Sequence, residues 1–176
     1  MTEFKELIRK IVDKLYLVVW SPWGEENVSE IDISFGFVFK NEPNKLCIVS
    51  VDKDELWSPH ISFESLPENK YSWEDFHPRI KMWMNAEDQN LMIGKEYYEV
   101  TNSELLNNII GNEIEGIEFL KIEGNPEPFG VKILFNDDYI ISMPNSDGNT
   151  VETKAFNKTD SIENFKQIGN VIYSRL

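Results

Sequence analysis

The sequence predicts an α+β fold: an antiparallel sheet built from two hairpin units, with a long amphipathic N-terminal helix packed on it and short peripheral helices, in a single domain spanning residues 1–176. Three observations predict it. Phe4, Leu7, Ile8, Ile11, Val12, Leu15 and Tyr16 recur at steps of three and four, the spacing of one buried helical face. The stretch FGFVFKNEPNKLCIVSVDKDELW, from Phe35 to Trp57, has a thinner echo in FGVKILFNDDYIISMPNSDG, from Phe129 to Gly148. Each copy has an FG pair, an apolar run ending in Phe and a polar residue, a polar break, a second apolar run and an acidic turn. Finally, 176 residues with eleven Phe and five Trp can bury a substantial core.

The N-terminal helix is expected to start at a Thr2 cap, with Glu3 and Glu6 at its positive end. Pro22 and Gly24 make SPWGEEN a loop. ISFGFVFK and KLCIVSV then read as strands of a hairpin, with Pro43 and its flanking asparagines in the turn. ISFES reads as a short strand. RIKMWMN fits either period, but Pro78 favours a short helix. EYYEV reads as a strand. Thr101 and Glu104 form a capping-box pattern before Leu105, Leu106, Ile109 and Ile110, predicting a helix ended by Gly111. EGIEFLKIEG, FGVKILFN, YIISMPN and NTVETKAF predict a four-stranded meander. Ile162, Phe165 and Ile168 predict a last helical turn or two, and NVIYS a closing strand.

Charge narrows the function. Thirty-one acidic residues against seventeen basic ones give a formal net charge of −14. Nucleic acid and anionic membranes are disfavoured as direct partners, because their phosphates require clustered Lys and Arg. The single cysteine, Cys47, excludes an intrachain disulfide and fits a reducing compartment. With no signal peptide and no apolar run of about 20 residues, a cytoplasmic location is expected.

Catalytic and metal signatures are missing. His60 and His77 stand far apart, and neither HExxH nor CxxC occurs. Asp147-Gly148 reads as turn chemistry, and no GxSxG elbow is present. Paired carboxylates for glycoside chemistry remain open, since acids are abundant. The expectation is a protein that is not an enzyme and carries no cofactor or metal.

Binding is the remaining class. Three loops combine acids with large aromatics: Trp23 with Glu25 and Glu26; Asp52, Asp54 and Glu55 with Trp57; Trp73 with Glu74, Asp75 and Phe76. Aromatic anchors with charges that set orientation are the composition of protein interfaces. The candidate partner-binding residues are Asp52, Asp54, Glu55 and Trp57, followed by Glu25, Glu26, Glu74 and Asp75.

The second half, GIEFLKIEGNPEPFGVKILFNDDYIISMPNSDG, resembles bacterial immunity proteins of contact-dependent growth inhibition and polymorphic toxin systems. The shared pattern is an alternating strand, a PFG junction, V-x-I-x-F-x-[ND], Y-x-I and an N-x-x-D turn. FGFVFKN with LCIVSVDKDELW is similar to the matching feature of such proteins. The resemblance covers about half the chain and rests on strand and turn patterns. It implies a stoichiometric inhibitor of a cognate toxin domain, with a nuclease as the expected activity, whose basic cleft is occluded by carboxylates in place of phosphates. It carries over no catalytic or toxin-binding residue. The alternative is a non-enzymatic acidic interaction module with a non-toxin partner.

Overall fold

The computed structural model describes residues 2–20, 31–51, 58–85, 94–145, 148–158 and 161–176. The fold is mainly β, not α+β. One sheet is mixed and six-stranded. It contains β1 (Val12–Trp20), β2 (Ile33–Phe39), β3 (Glu42–Val51), β4 (Pro59–Ser65), β5 (Tyr71–Ser72) and β6 (Lys95–Glu99), in the order β4-β3-β2-β1-β6-β5. The second is antiparallel and five-stranded. It contains β7 (Gly116–Ile122), β8 (Gly130–Leu134), β9 (Tyr139–Asn145), β10 (Gly148–Glu152) and β11 (Val171–Arg175), in the order β10-β9-β8-β7-β11.

The long N-terminal helix does not form. Helix α1 is only Thr2–Lys5, and Arg9, at φ 74°, takes the left-handed region and turns the chain away. From Val12 the chain is the strand β1, next to the middle of its sheet. Leu15, Leu17 and Val19 enter the main core, while Tyr16 and Val18 enter a second apolar cluster on the opposite face. A strand buried on both faces needs an unbroken apolar run, and LYLVVW supplies one rich in β-branched and aromatic residues. The helical spacing from Phe4 to Tyr16 runs into the start of that strand at Leu15 and Tyr16. Phe4 and Leu7 are still buried, Phe4 lying edge-on to Phe119 with ring centroids 5.3 Å apart.

A second expected helix also fails. After Ser103 there is one 3-10 turn, Glu104–Leu106, and then further turns to Gly111 at φ 77°. The Thr101 hydroxyl accepts a bond from the Leu15 backbone N–H instead of capping a helix. The following residues are drawn into bonds with the start of β1: Gly111 N–H to the Val12 carbonyl, Val12 N–H to Asn112, and Ile114 N–H to Lys10. Helix α2, Phe76–Met84, does form and buries Phe76, Ile80 and Trp83.

The two echoing hairpins lie in different sheets, β2–β3 in one and β8–β9 in the other. Their FG glycines have a shared physical reason. A Cβ on Gly36 would lie 2.9 Å from Leu46 Cδ1, and one on Gly130 would lie 3.0 Å from the Ser142 carbonyl oxygen and 3.1 Å from Met143 Cβ. Each glycine makes room for an apolar cluster on the outer face of its own sheet. In the first sheet this is Tyr16, Val18, Val38, Leu46 and Ile48. In the second it is Leu120, Ile141 and Met143, covered by Phe129 and by Ile162 and Phe165 of helix α3 (Ile162–Lys166).

The six-stranded sheet coils around its outer cluster. Glu64 of β4 is ion-paired with Lys95 of β6 and accepts a 2.7 Å hydrogen bond from the Tyr97 hydroxyl. These strands are four places apart in the order β4-β3-β2-β1-β6, about 19 Å in a flat sheet at ~4.8 Å per strand. Side chains of this length meet only if the sheet curls towards them.

The main core spans both sheets, joining Phe35, Phe37 and Val49 to Ile117, Val131, Ile133 and Ile140. A buried polar seam adds to it. Asn149 of β10 donates from its side chain to the Ile33 carbonyl at 2.7 Å and from its backbone N–H to Asp32 Oδ1 at 2.9 Å. Its side-chain oxygen accepts from Ser142 Oγ at 2.9 Å. Cys47 lies in this core, and burial pushes its thiol up to about 12, the state of an unreactive thiol.

Candidate partner-binding site

Of the three acid-and-aromatic loops, the structure describes the one around Trp73. Asp52, Asp54, Glu55, Trp57, Glu25 and Glu26 lie outside the described residues, as does Trp23. Tyr71 and Ser72, as β5, pair in parallel with Tyr98 and Glu99. Ser72 then starts a single 3-10 turn, Trp73–Asp75, which runs into α2. The Asp75 carboxylate accepts from the Ser72 N–H at 3.2 Å and from Ser72 Oγ at 2.9 Å. Asp75 therefore caps the turn and sets its shape. Glu74 is exposed and ion-paired with no described residue.

The turn props Trp73, half-buried, against an aromatic cluster. Its ring stacks on Phe76 with centroids 5.3 Å apart, meets Phe156 edge-on at 5.7 Å and His77 at 6.0 Å. Trp73 is the common wall of two cavities. The polar one, about 300 Å³, is lined by Lys70, Tyr71, Ser72, Glu74, Glu99 and Asn102. The apolar one, about 200 Å³, is lined by Ile33, Phe76, His77, Leu105, Phe156 and Asn157.

In the polar cavity the Lys70 ammonium is ion-paired with Glu99, which also accepts from the Tyr16 hydroxyl at 3.3 Å and has Lys14 at 3.9 Å. Burial pushes the Glu99 carboxyl up, but Lys70 and Lys14 outweigh it and hold the group below the usual carboxylate range. The same holds at Glu64, where burial is outweighed by Lys95 and Tyr97. A carboxylate held low in the folded state stabilises the fold above its unfolded value and loses that contribution as pH falls through the folded one. Stability should therefore decline on acidification below the ordinary Glu value of 4.5. Glu64→Gln should flatten that decline, as read from urea midpoints across the acid range. A midpoint profile unchanged by the substitution would show that the curl does not depend on this charge.

Chemically the site offers an aromatic plane, one apolar recess and one charged recess, which suits it to holding side chains of another molecule. The cavity with His77 has no carboxylate among its lining residues. Among the described residues, no group of three or more His, Cys, Asp or Glu could hold a metal ion. Comparison with protein-family models, with curated proteins and with solved structures finds no match to this chain. No helix among the described residues is long and apolar enough to cross a membrane.

The sequence singles out Trp73, Glu74 and Asp75 in this loop, and the structure sets Leu105, Phe156 and Asn102 beside them in the two cavities. Leu105 is expected in a helix, yet it stands in a 3-10 turn, 42% exposed beside the apolar cavity. Phe156 sits in TKAF, beyond β10, and carries no local signal of its neighbours.

Proposed function

We propose that this chain is a cytoplasmic immunity protein that binds a cognate toxin domain, a nuclease in the leading version, and neutralises it by covering its basic site with an acidic surface. The observation that carries the reading is the Trp73 site: an aromatic wall between an apolar and a charged recess, with the exposed Glu74 beside it. The charge distribution supports it. Arg9, Lys10, Lys14, Lys45, Lys70, Arg79, Lys95 and Lys166 are in ion pairs within the chain. With those cations paired internally, the net charge of −14 weights the remaining surface towards carboxylates.

The deciding experiment is co-expression with the C-terminal domain of the open reading frame immediately upstream. The expected result is a domain that kills alone and is harmless together with this chain, with a complex that co-purifies. A domain that is harmless alone, or kills regardless, removes the immunity reading and leaves an acidic interaction module with another partner.

Occlusion by charge also sets the kinetics. Raising salt should slow association of the complex more than it speeds dissociation, because screening acts on long-range steering. Stopped-flow association across a salt series measures this, and a salt-insensitive association rate would mean that the charge serves solubility alone.

A further inference from the structure

We infer that the two cavities beside Trp73 form one bipartite anchor, which takes an apolar side chain and a neighbouring Lys or Arg from the bound protein. The inference deepens the immunity reading and rests on it for the identity of the partner.

The apolar half is a recess of about 200 Å³, room for a side chain such as Leu, Met or Phe. Ile33 and Phe156 line it, and Leu105, left 42% exposed, forms its rim. An exposed apolar rim around an apolar recess is the arrangement in which burying one partner side chain removes much water-facing hydrocarbon. In the polar half Glu99 is matched by Lys70 and Lys14, while Glu74 is exposed and ion-paired with no described residue, so Glu74 is the carboxylate left to meet a partner's cation. Asn102 and Ser72 add hydrogen-bonding groups there. Trp73 divides the halves, and its ring face can hold a cation as well as hydrocarbon. Glu74, unpaired among the described residues, and the net charge of −14 select a basic segment over an acidic one.

Two measurements test it. In the first, the ¹⁵N-labelled protein is titrated with the amidated tripeptides Arg-Leu-Arg and Glu-Leu-Glu. The expected result is shifts centred on the Trp73 indole, His77, Leu105 and Asn102 with the basic peptide, and much weaker ones with the acidic peptide. Scattered shifts, or equal response to both peptides, overturn the inference. In the second, Leu105→Lys is compared with Ile168→Lys in affinity for the toxin domain. Ile168 is 75% exposed and lies outside both cavities, so each change adds one surface cation without touching the core. Leu105→Lys should weaken binding about thirtyfold or more, the scale of a hot-spot residue, and Ile168→Lys by no more than about twofold. Equal effects overturn the anchor. If the upstream domain proves not to be a toxin, the immunity reading falls, while the peptide titration still decides the anchor.

Discussion

Replacing Asn149 by Leu is expected to cost about 3–5 kcal/mol of stability, lowering the melting temperature by about 10 °C in a chain of this size. The side chain is buried between the sheets and makes two close bonds, to the Ile33 carbonyl and from the Ser142 hydroxyl. Leucine has a similar volume but neither donor nor acceptor. It would leave both groups buried without that partner, at about 1–3 kcal/mol each, and would press a methyl group against a carbonyl oxygen. Asn107→Leu, at an exposed position, serves as the reference and should cost little. Thermal melts of both variants decide the matter. Equal, small losses would mean that the seam is incidental and that apolar packing alone joins the sheets.

Phe37→Ala is expected to be of similar or larger effect, about 3–5 kcal/mol. Phe37 is fully buried, stacked on Phe39 with centroids 5.9 Å apart and tilted against Phe35 at 6.3 Å. Truncation leaves a void among rings held by strand pairing on both sides, β1 and β3, so the walls have little freedom to collapse. Phe63 on β4 provides the contrast. It is 44% exposed, with the Lys45 ammonium 3.6 Å from the ring centroid, and its truncation should cost below about 1 kcal/mol. Urea unfolding of the two variants measures the difference. Comparable losses would show that the three-ring row on β2 is not the centre of the core.

Much of the fold was legible because strands and short helices are written in local periodicity. Both hairpins, the meander from β7 to β10 and the closing strand β11 follow from apolar runs and alternation over a few residues, and helix α2, where both periods fit, from Pro78. The two failures have a common cause. At Phe4–Tyr16 and at Thr101–Gly111 the local signal was helical, and a distant pairing overrode it: β1 lies between β2 and β6, and Thr101 is held by Leu15. The site was legible only where a single loop carried it. Trp73 and Glu74 are neighbours in sequence. Ile33, Leu105 and Phe156 meet because two sheets face one another, which no window of sequence records.

The strand order of the larger sheet has a consequence for how the chain is made. β7 to β10 pair with their sequence neighbours, so that half can assemble as soon as it exists. β1 sits between β2 and β6, and Tyr16 faces Glu99 across the ladder. Strand β1 thus waits for the chain to reach β6, about 75 residues on, before its second edge is covered. Non-local closure of this kind slows folding and leaves apolar edges open in the interval. The C-terminal half should gain amide protection first during refolding, as pulsed hydrogen exchange would show. Simultaneous protection of β1 and β8 would instead mean that both sheets condense in one step. Strand order, and not stability alone, thus sets how long the larger sheet stays open while the chain folds.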